Sequence, residues 1–299
     1  MKPRINQSAI ALTSDNPADF DKFLSNISLD SLILYTRHLS GDLPCYIGGY
    51  VDTIVSRHQS LPGNEKAAQY IFEKFRSFGL NAQYERFSKT GRNVIGTKYG
   101  TWYTNQYYVV CAHFDDMPEA LTSPGADDNA SGTSAVIELA RVFSAYDFLY
   151  TVKFICFDEE EQWMVGSNYY VTQAKLRNDT ILGVINLDMI AYDSNFDDKI
   201  HVSIDNVANT YQIGTDFINN ISSYSIGLNP IVTTAIQSDH QSFLLTGYGA
   251  ILVIEDLYDF NAYYHKVTDK IIYFNLPFFH KIVQATGVTI AKYANTFIN

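Results

Sequence analysis

The sequence predicts an α/β fold, a single-domain three-layer sandwich spanning residues 1–299, with a mixed, mostly parallel central sheet between helices. Two observations support this prediction. After Asp128, helical and strand-like stretches alternate, which is typical of βαβ units with parallel strands. Before it, three strand-like stretches are joined by short links, which favour antiparallel pairing. The sequence shows no repeats, low-complexity tracts or linkers, so we expect one domain.

The first half of the chain begins with a helical segment at about 17–39, where apolar residues recur at near-helical spacing. A second helix is predicted to start at Pro62–Glu65, with Asn64 as its cap and Glu65 near the positive helix end. It carries a continuous apolar stripe and stops at Gly79. The strand-like stretches that follow indicate an antiparallel meander, with strands over 82–87, 93–98 and 107–112.

The second half of the chain follows the alternating rhythm of helices and strands to its end. Helices are predicted over 133–143, 165–176, 209–222 and 276–297. Strands are predicted over 152–157, 182–187, 199–204, 231–234 and 250–254.

The composition excludes several classes of protein. With 46% apolar residues, the chain can bury a sizeable core, and its formal net charge of −11 argues against a nucleic-acid partner. The three cysteines form no CxxC pair, and no apolar run is long enough for a membrane span. The stretch 1–21 lacks the apolar core of a signal peptide, so we expect a soluble protein as written. A periplasmic or secreted location would require that an export signal has been removed.

Acidic and imidazole side chains follow the ends of several predicted strands: His113 with Asp115, Asp127, Glu159–Glu161, Asp188 and His265. Taken singly, each is most often structural, as a satisfied histidine, a solvated turn or a loop cap. Taken together at neighbouring strand ends, the carboxylates would repel one another unless protons or a cation intervened. Mixed His, Asp and Glu ligands without Cys favour zinc first, with manganese and cobalt as alternatives.

Five motifs in order resemble those of the M28 zinc exopeptidases, the family of bacterial two-zinc leucyl aminopeptidases. They are A-H-F-D (112–115), P-G-A-D-D-N-A-S-G (124–132), F-D-E-E-E-x4-G-S (157–167), N-L-D-M (186–189) and Y-H-K-V-T-D (264–269). The resemblance extends from Arg57 to the C-terminus if the weaker S-R-x4-P-G-N segment (56–64) is included. It implies the zinc exopeptidase fold, related to that of the phosphorylase-hydrolase group.

The resemblance also implies a role for each motif residue at a site with two zinc ions per chain. It assigns Asp127 as the ligand that bridges both ions, His113 and Asp188 as further ligands of one ion, and Glu161 and His265 as further ligands of the other. Asp115 would fix the tautomer of His113. The family pattern places an acid pair four residues before Gly-Ser, which here makes Glu160 the general base.

The implied activity is hydrolysis of the N-terminal residue of peptides by a two-zinc-bound hydroxide, with a glutamate as general base. No arginine follows Arg177, which favours recognition of a free amine over a terminal carboxylate. The expected substrate residue is apolar, held by Met189, Ile190, Ile236, Tyr258 and Phe260, and the protein is expected to be a monomer. Ser238–His240 also resembles a family segment and is interpreted as architecture, because three adjacent side chains cannot easily form a catalytic triad.

Two alternative functions on the same fold remain. The first is a glutaminyl-cyclase-like acyltransferase with a single zinc ion; the presence of His113 favours two metals instead. The second is a non-catalytic interaction module with a decayed site, which the complete set of predicted ligands disfavours.

Overall fold

An eight-stranded mixed sheet forms the centre of the computed structural model, which describes residues 10–11, 17–117, 122–234 and 237–295. In chain order the strands are β1 (Asn81–Arg86), β2 (Arg92–Lys98), β3 (Tyr103–His113), β4 (Tyr150–Phe157), β5 (Thr180–Leu187), β6 (Lys199–Ser203), β7 (Asn229–Thr233) and β8 (Ala250–Glu255). Their order across the sheet is β7-β6-β8-β5-β3-β4-β2-β1.

The four central strands β8, β5, β3 and β4 are parallel neighbours, as the alternation of helices and strands predicts. Antiparallel pairs flank them: β6 pairs with β8 on one side, and β2 pairs with both β4 and β1 on the other. The predicted meander is therefore correct for β1 and β2 but wrong for β3. Strand β4 lies between β2 and β3, because a central strand can hydrogen-bond on both edges.

Alternating side chains of the strands face two helical layers, as the period of a strand requires. On β3, Tyr108, Val110 and Ala112 belong to the larger apolar core, whereas Tyr107 and Cys111 belong to a second core on the opposite face. Fully buried strands read as near-continuous apolar runs, since both faces are covered. The three-layer sandwich is confirmed.

Eight helices are found among the described residues. They are α1 (Pro17–Ser25), α2 (Leu29–Leu39), α3 (Pro62–Ser77), α4 (Gly132–Ser144), α5 (Val165–Arg177), α6 (Thr210–Ser223), α7 (His240–Leu245) and α8 (Leu276–Asn295). Helices α5 and α7 pack in the second core, and residues of the others lie in the larger one. Short pieces complete the fold: a hairpin (Cys45–Ile47, Tyr50–Asp52), the parallel pair Ile10–Ala11 and Tyr146–Asp147, and single turns at Ala126–Ser131 and Ile271–Tyr273.

The start of α3 differs from the prediction. Leu61 occupies the cap position and Pro62 the first turn, so Asn64 lies inside the helix. The Asn64 amide instead donates to the carbonyl oxygen of Arg57 (2.9 Å) and to Asp158 (2.7 Å). It ties the helix to the end of β4.

Parallel strands end at the same edge of the sheet, and this edge collects the chemistry of the chain. His113 is the last residue of β3, Asp188 follows β5 directly, and the acidic run at 158–161 follows β4. Among the described segments, none of the helices has the length and apolar character that crossing a membrane requires.

Candidate metal centre

The first cluster of possible metal ligands joins the ends of β3 and β5. His113 Nε2 lies 3.2 Å from Asp188 Oδ1 and 3.5 Å from Asp128 Oδ1. All three side chains are buried. Ser238 donates from its hydroxyl to Asp188 Oδ2 (2.7 Å), and thereby fixes the orientation of that carboxylate. This contact supports the interpretation of Ser238–His240 as architecture.

The second cluster shares Asp128 with the first. His265 Nε2 lies 3.1 Å from Asp128 Oδ2 and 3.1 Å from Glu161 Oε1. His265 adopts a left-handed backbone conformation (φ 59°), which is uncommon for a residue with a side chain. The ring of Tyr264 stacks on its imidazole at 3.7 Å between centroids. The stacking and the two carboxylates fix the ring beside Asp128, the residue common to both clusters.

The spacing within both clusters suits zinc. Zinc holds nitrogen and oxygen ligands at about 2.0–2.2 Å in tetrahedral sites, so neighbouring ligand atoms lie about 3.3–3.6 Å apart. The four imidazole–carboxylate distances are 3.1–3.5 Å. In each cluster, an imidazole and two carboxylates converge, with their ligand atoms within 4.8 Å of one another. The residues present therefore fit a pair of divalent ions.

The prediction that Asp127 bridges the two clusters is wrong by one residue. The carboxylate common to both groups belongs to Asp128, with one oxygen toward each imidazole. The Asp127 side chain faces away from them and accepts hydrogen bonds from the backbone N–H of Ala191 and the amide of Asn261. Backbone torsions at Asp128 and Asn129 depart from helical values, so the two neighbouring carboxylates face opposite sides of the loop.

Asp115 contacts both the first cluster and the predicted base. One of its carboxylate oxygens lies 3.5 Å from His113 Nδ1. The same carboxylate accepts hydrogen bonds from the backbone N–H of Glu160 (3.1 Å) and of Glu161 (3.2 Å). It therefore connects the end of β3 to the acidic run after β4, a contact that the motif spacing did not reveal.

Burial and nearby charges both shift the pKa values of the ligand candidates in the two clusters. Burial lowers the pKa of His265, but its hydrogen bonds to Asp128 and Glu161 outweigh that effect and raise it to about 10. Burial, helped by the charge of Asp128, raises the pKa of Glu161 to about 7. Burial also raises the pKa of Asp128. At Asp188, burial is opposed by the charge and hydrogen bond of His113 and by the hydrogen bond of Ser238, which together lower its pKa. Closely packed acids of this kind bind either protons or a cation.

Arg57 organises the loops beneath the site and was not assigned a role from the sequence. Its guanidinium is completely buried and donates to four backbone carbonyl oxygens, at distances of 2.6–2.8 Å. The acceptors are Phe114, Leu39, Pro124 and Gly125. Gly125 adopts a left-handed conformation (φ 48°), and a Cβ there would lie 2.7 Å from Arg57 Nη2. The loop from β3 to the turn at Ala126–Ser131, which carries Asp128 and is called the metal-binding turn below, is therefore built around this buried cation.

The four described residues of the predicted substrate pocket do not form one surface. Ile190 is fully buried in the larger apolar core, so the structure does not expose it to a substrate pocket as predicted. Met189 is 3% exposed and packs with residues at the end of β8. Phe260 is partly exposed and contacts Tyr264, whose ring covers His265.

The remaining two pocket residues give no support to a shared wall. Tyr258 is 88% exposed, and its ring lies against His201 on β6. Ile236 lies outside the described residues. Of the five predicted pocket residues, Phe260 is the one that the structure connects to a metal-ligand candidate through described ring contacts.

The family of the chain follows from comparison with known sequences. The sequence profile of peptidase family M28 matches residues 93–289, which include every proposed metal ligand. The chain belongs to peptidase family M28. It is 27% identical over 252 residues to leucine aminopeptidase 1 of Ajellomyces capsulatus (strain NAm1 / WU24), an alignment that covers 77% of this chain. It spans 64% of the length of that relative, slightly less than two thirds.

Solved structures share the fold at low sequence identity. The LapA aminopeptidase of Legionella pneumophila has a TM-score of 0.83 at 20% identity, covering 98% of this chain and 79% of that one. BSAP, a zinc aminopeptidase from Bacillus subtilis, has a TM-score of 0.77 at 15% identity, covering 90% and 96%. The glutaminyl cyclase of Porphyromonas gingivalis has a TM-score of 0.70 at 18% identity, covering 89% and 97%. At these identities, the similarity establishes the fold alone.

Proposed function

We propose that the protein is an aminopeptidase that removes an apolar N-terminal residue from peptides with two zinc ions. One observation carries the proposal: Asp128 lies between two imidazole–carboxylate clusters, with one oxygen toward each. Relatives with the printed names leucine aminopeptidase and zinc aminopeptidase support the same activity and the same metal.

The proposed mechanism assigns a role to each group of residues. His113, Asp128 and Asp188 would hold one ion, and Asp128, Glu161 and His265 the other. When bound, the two ions would supply Lewis-acid chemistry, polarising the scissile carbonyl and lowering the pKa of the attacking water. Glu160 would accept a proton from the attacking water and return it to the amine that leaves when the peptide bond breaks. Asp115 supports this role, because it holds the backbone N–H of Glu160 beside the cluster.

The choice of the amino end rests on the charges around the site. A carboxypeptidase needs a cation for the terminal carboxylate of its substrate, usually an arginine. Arg57 is buried and donates to backbone carbonyls, and Arg92 pairs with Glu65. No arginine follows Arg177 in the sequence. The carboxylate-rich edge therefore favours a substrate that presents a positive α-amine.

Substrate acceptance and metal content together test the proposal. Leu-Gly-Gly, its N-acetylated form and its C-terminally amidated form would be compared as substrates, and zinc would be counted by elemental analysis. We expect about two ions per chain, rapid release of leucine from the free and amidated peptides, and very poor turnover of the acetylated one. Turnover that is abolished by amidation and unaffected by acetylation would instead identify a carboxypeptidase.

The glutaminyl-cyclase alternative is less well supported, although the fold is shared with such an enzyme. A single-zinc site leaves the cluster of His113 and Asp188 without a role, yet these side chains converge at 3.2 Å. A zinc content of one ion, unchanged after zinc is added, would favour the cyclase. We also propose a monomer, which a sedimentation mass of twice 33.8 kDa would contradict.

A further inference from the structure

A second group of buried polar side chains lies directly behind the candidate metal centre, and the proposed mechanism does not use it. It consists of Asp127, Glu255, Asn261 and Asp269, none of which is more than 3% exposed. These residues belong to three different segments of the chain: the metal-binding turn, the end of β8 and the loop that carries His265. Their hydrogen bonds show what the group can do.

Asp269 holds the backbone of the metal-binding turn. Its carboxylate accepts hydrogen bonds from the N–H of Asp127 (3.1 and 3.0 Å) and from the N–H of Asp128 (3.1 Å). Asp269 follows His265 by four residues. The segment that carries one imidazole is therefore fixed directly to the backbone of the shared carboxylate.

Asp127 links the same turn to two further segments. Its Oδ1 accepts from the N–H of Ala191 (3.0 Å), three residues after Asp188. Its Oδ2 accepts from the side-chain amide of Asn261 (3.0 Å), four residues before His265. The side chain of Asp127 thus joins the segments that carry a ligand of each cluster.

Glu255, the last residue of β8, is the fourth member of the group. Its Oε1 accepts from the backbone N–H of Asn261 (2.8 Å). Burial and the neighbouring charge of Asp127 raise the pKa of Glu255 well above its usual value. Its second carboxyl oxygen, Oε2, is buried and has no hydrogen-bond partner among the described residues.

We infer that Asp127, Asn261 and Asp269 form a brace that sets the position of His265 relative to Asp128. They are positioning residues, and the inference rests on the proposed two-metal site. On one side of His265 the brace holds Asn261, and on the other it holds Asp269, so both ends of the intervening loop are fixed to the metal-binding turn.

The two clusters depend on the brace to different degrees. Asp188 follows a central strand directly and receives a hydrogen bond from Ser238. Asn129 also donates from its amide to the carbonyl oxygen of Leu187 (3.0 Å), which ties the metal-binding turn to that strand end. His265 has no such strand, since it lies in a stretch of turns between β8 and α8. Loss of the brace should therefore weaken the Glu161–His265 site first.

The test is a calorimetric titration of the metal-free 299-residue chain with zinc, comparing wild type with Asp269→Asn. A matched control is Asp259→Asn, because Asp259 belongs to the same loop and accepts backbone N–H bonds from Ser194 and Asn195 but does not contact the brace. Removing such supporting partners typically costs about 10–100-fold in metal affinity. We expect Asp269→Asn to retain one tight ion and to bind the second about 10–100-fold more weakly. Both affinities of Asp259→Asn should stay within about twofold of wild type.

The ratio of the dissociation constants of the two zinc ions shows whether the brace positions His265 specifically or only stabilises the fold in general. If Asp269→Asn melts at a lower temperature but keeps the wild-type ratio, the brace is merely structural and the inference is refuted. If Asp269→Asn does not fold, Asn261→Ala gives the decision, because it removes one link and leaves Asp269 in place. Wild type that binds fewer than two ions would refute the proposed function and this inference together, whereas two tight ions in every variant would refute the inference alone.

Discussion

Replacement of Arg57 by lysine should destabilise the protein strongly, although the charge is kept. The guanidinium donates to four carbonyl oxygens on three segments: Leu39 at the end of α2, Phe114 after β3, and Pro124 with Gly125 before the metal-binding turn. Lysine has three N–H donors on a single atom and lacks the planar fork of arginine. It cannot reach all of these acceptors from one position.

The expected cost follows from the groups that lose their partner. Each buried carbonyl left without a donor costs about 1–3 kcal/mol. Asp116 also depends on Arg57: burial raises the pKa of its carboxyl, and the nearby guanidinium at 3.7 Å counteracts this. Lysine keeps a charge near Asp116, so the cost comes from the carbonyl groups, and two of them left without a donor would cost about 2–6 kcal/mol. At roughly 2 °C per kcal/mol, we expect the melting temperature of Arg57→Lys to fall by about 4–12 °C.

Thermal unfolding of the metal-free protein is the appropriate assay, because it separates this effect from loss of metal. Arg37→Lys is the matched control, since Arg37 forms an exposed ion pair with Asp42 that should contribute at most about 1 kcal/mol. If Arg57→Lys melted within a degree of the control, the four hydrogen bonds would not support the loop as argued.

Three further predictions concern the metal centre and the pH dependence of folding. Glu160→Gln should keep both ions while activity falls by about 10²–10⁴-fold, whereas Glu161→Gln should lose an ion; the reverse pattern in elemental analysis would show that base and ligand are exchanged. Asp128→Asn should reduce the zinc content more than Asp127→Asn, and equal losses would contradict the assignment of the shared ligand. Burial, together with nearby cations, lowers the pKa of His38 to about 4, so the unfolded chain binds its proton first as the pH falls from about 6.5. The free energy of unfolding should therefore drop between pH 6.5 and 4. Denaturant titrations at several pH values should show that, in His38→Gln, the free energy of unfolding changes less steeply with pH, by up to about one proton. An unchanged pH dependence would mean that His38 is not protected by the fold.

The sequence alone was sufficient to predict most of the architecture. Strands buried on both faces leave continuous apolar runs, so β3, β4, β5 and β8 were recognisable within a few residues of their observed ends. Because parallel strands end at one edge, the polar residues that follow them were correctly expected to converge. The structure brings together His113, Asp188, Glu161 and His265 with one member of the Asp127–Asp128 pair.

The order of the strands across the sheet was harder to predict from the sequence. Short links between β2 and β3 favour a hairpin, but they do not exclude insertion of a later strand. Strand β4 contributes apolar side chains to both cores and gains hydrogen bonds on both edges by lying between β2 and β3. The hydrogen bonds of Arg57 were equally inaccessible, since they go to backbone carbonyl oxygens of three distant segments and leave no side-chain pattern in the sequence.

The pair Asp127–Asp128 shows why a motif can locate a site without identifying its ligand. Both side chains are buried, and both are surrounded by polar groups, so composition and burial do not distinguish them. The distinction lies in backbone torsions: the turn is irregular at Asp128, which directs this carboxylate to the two imidazoles. The preceding carboxylate then faces Ala191 and Asn261, the segments that carry the other ligands. The two adjacent acids therefore have different roles: Asp128 faces the two imidazoles, and Asp127 holds the neighbouring loops. Substitution of either should impair the same centre, by loss of a proposed ligand in one case and of loop contacts in the other.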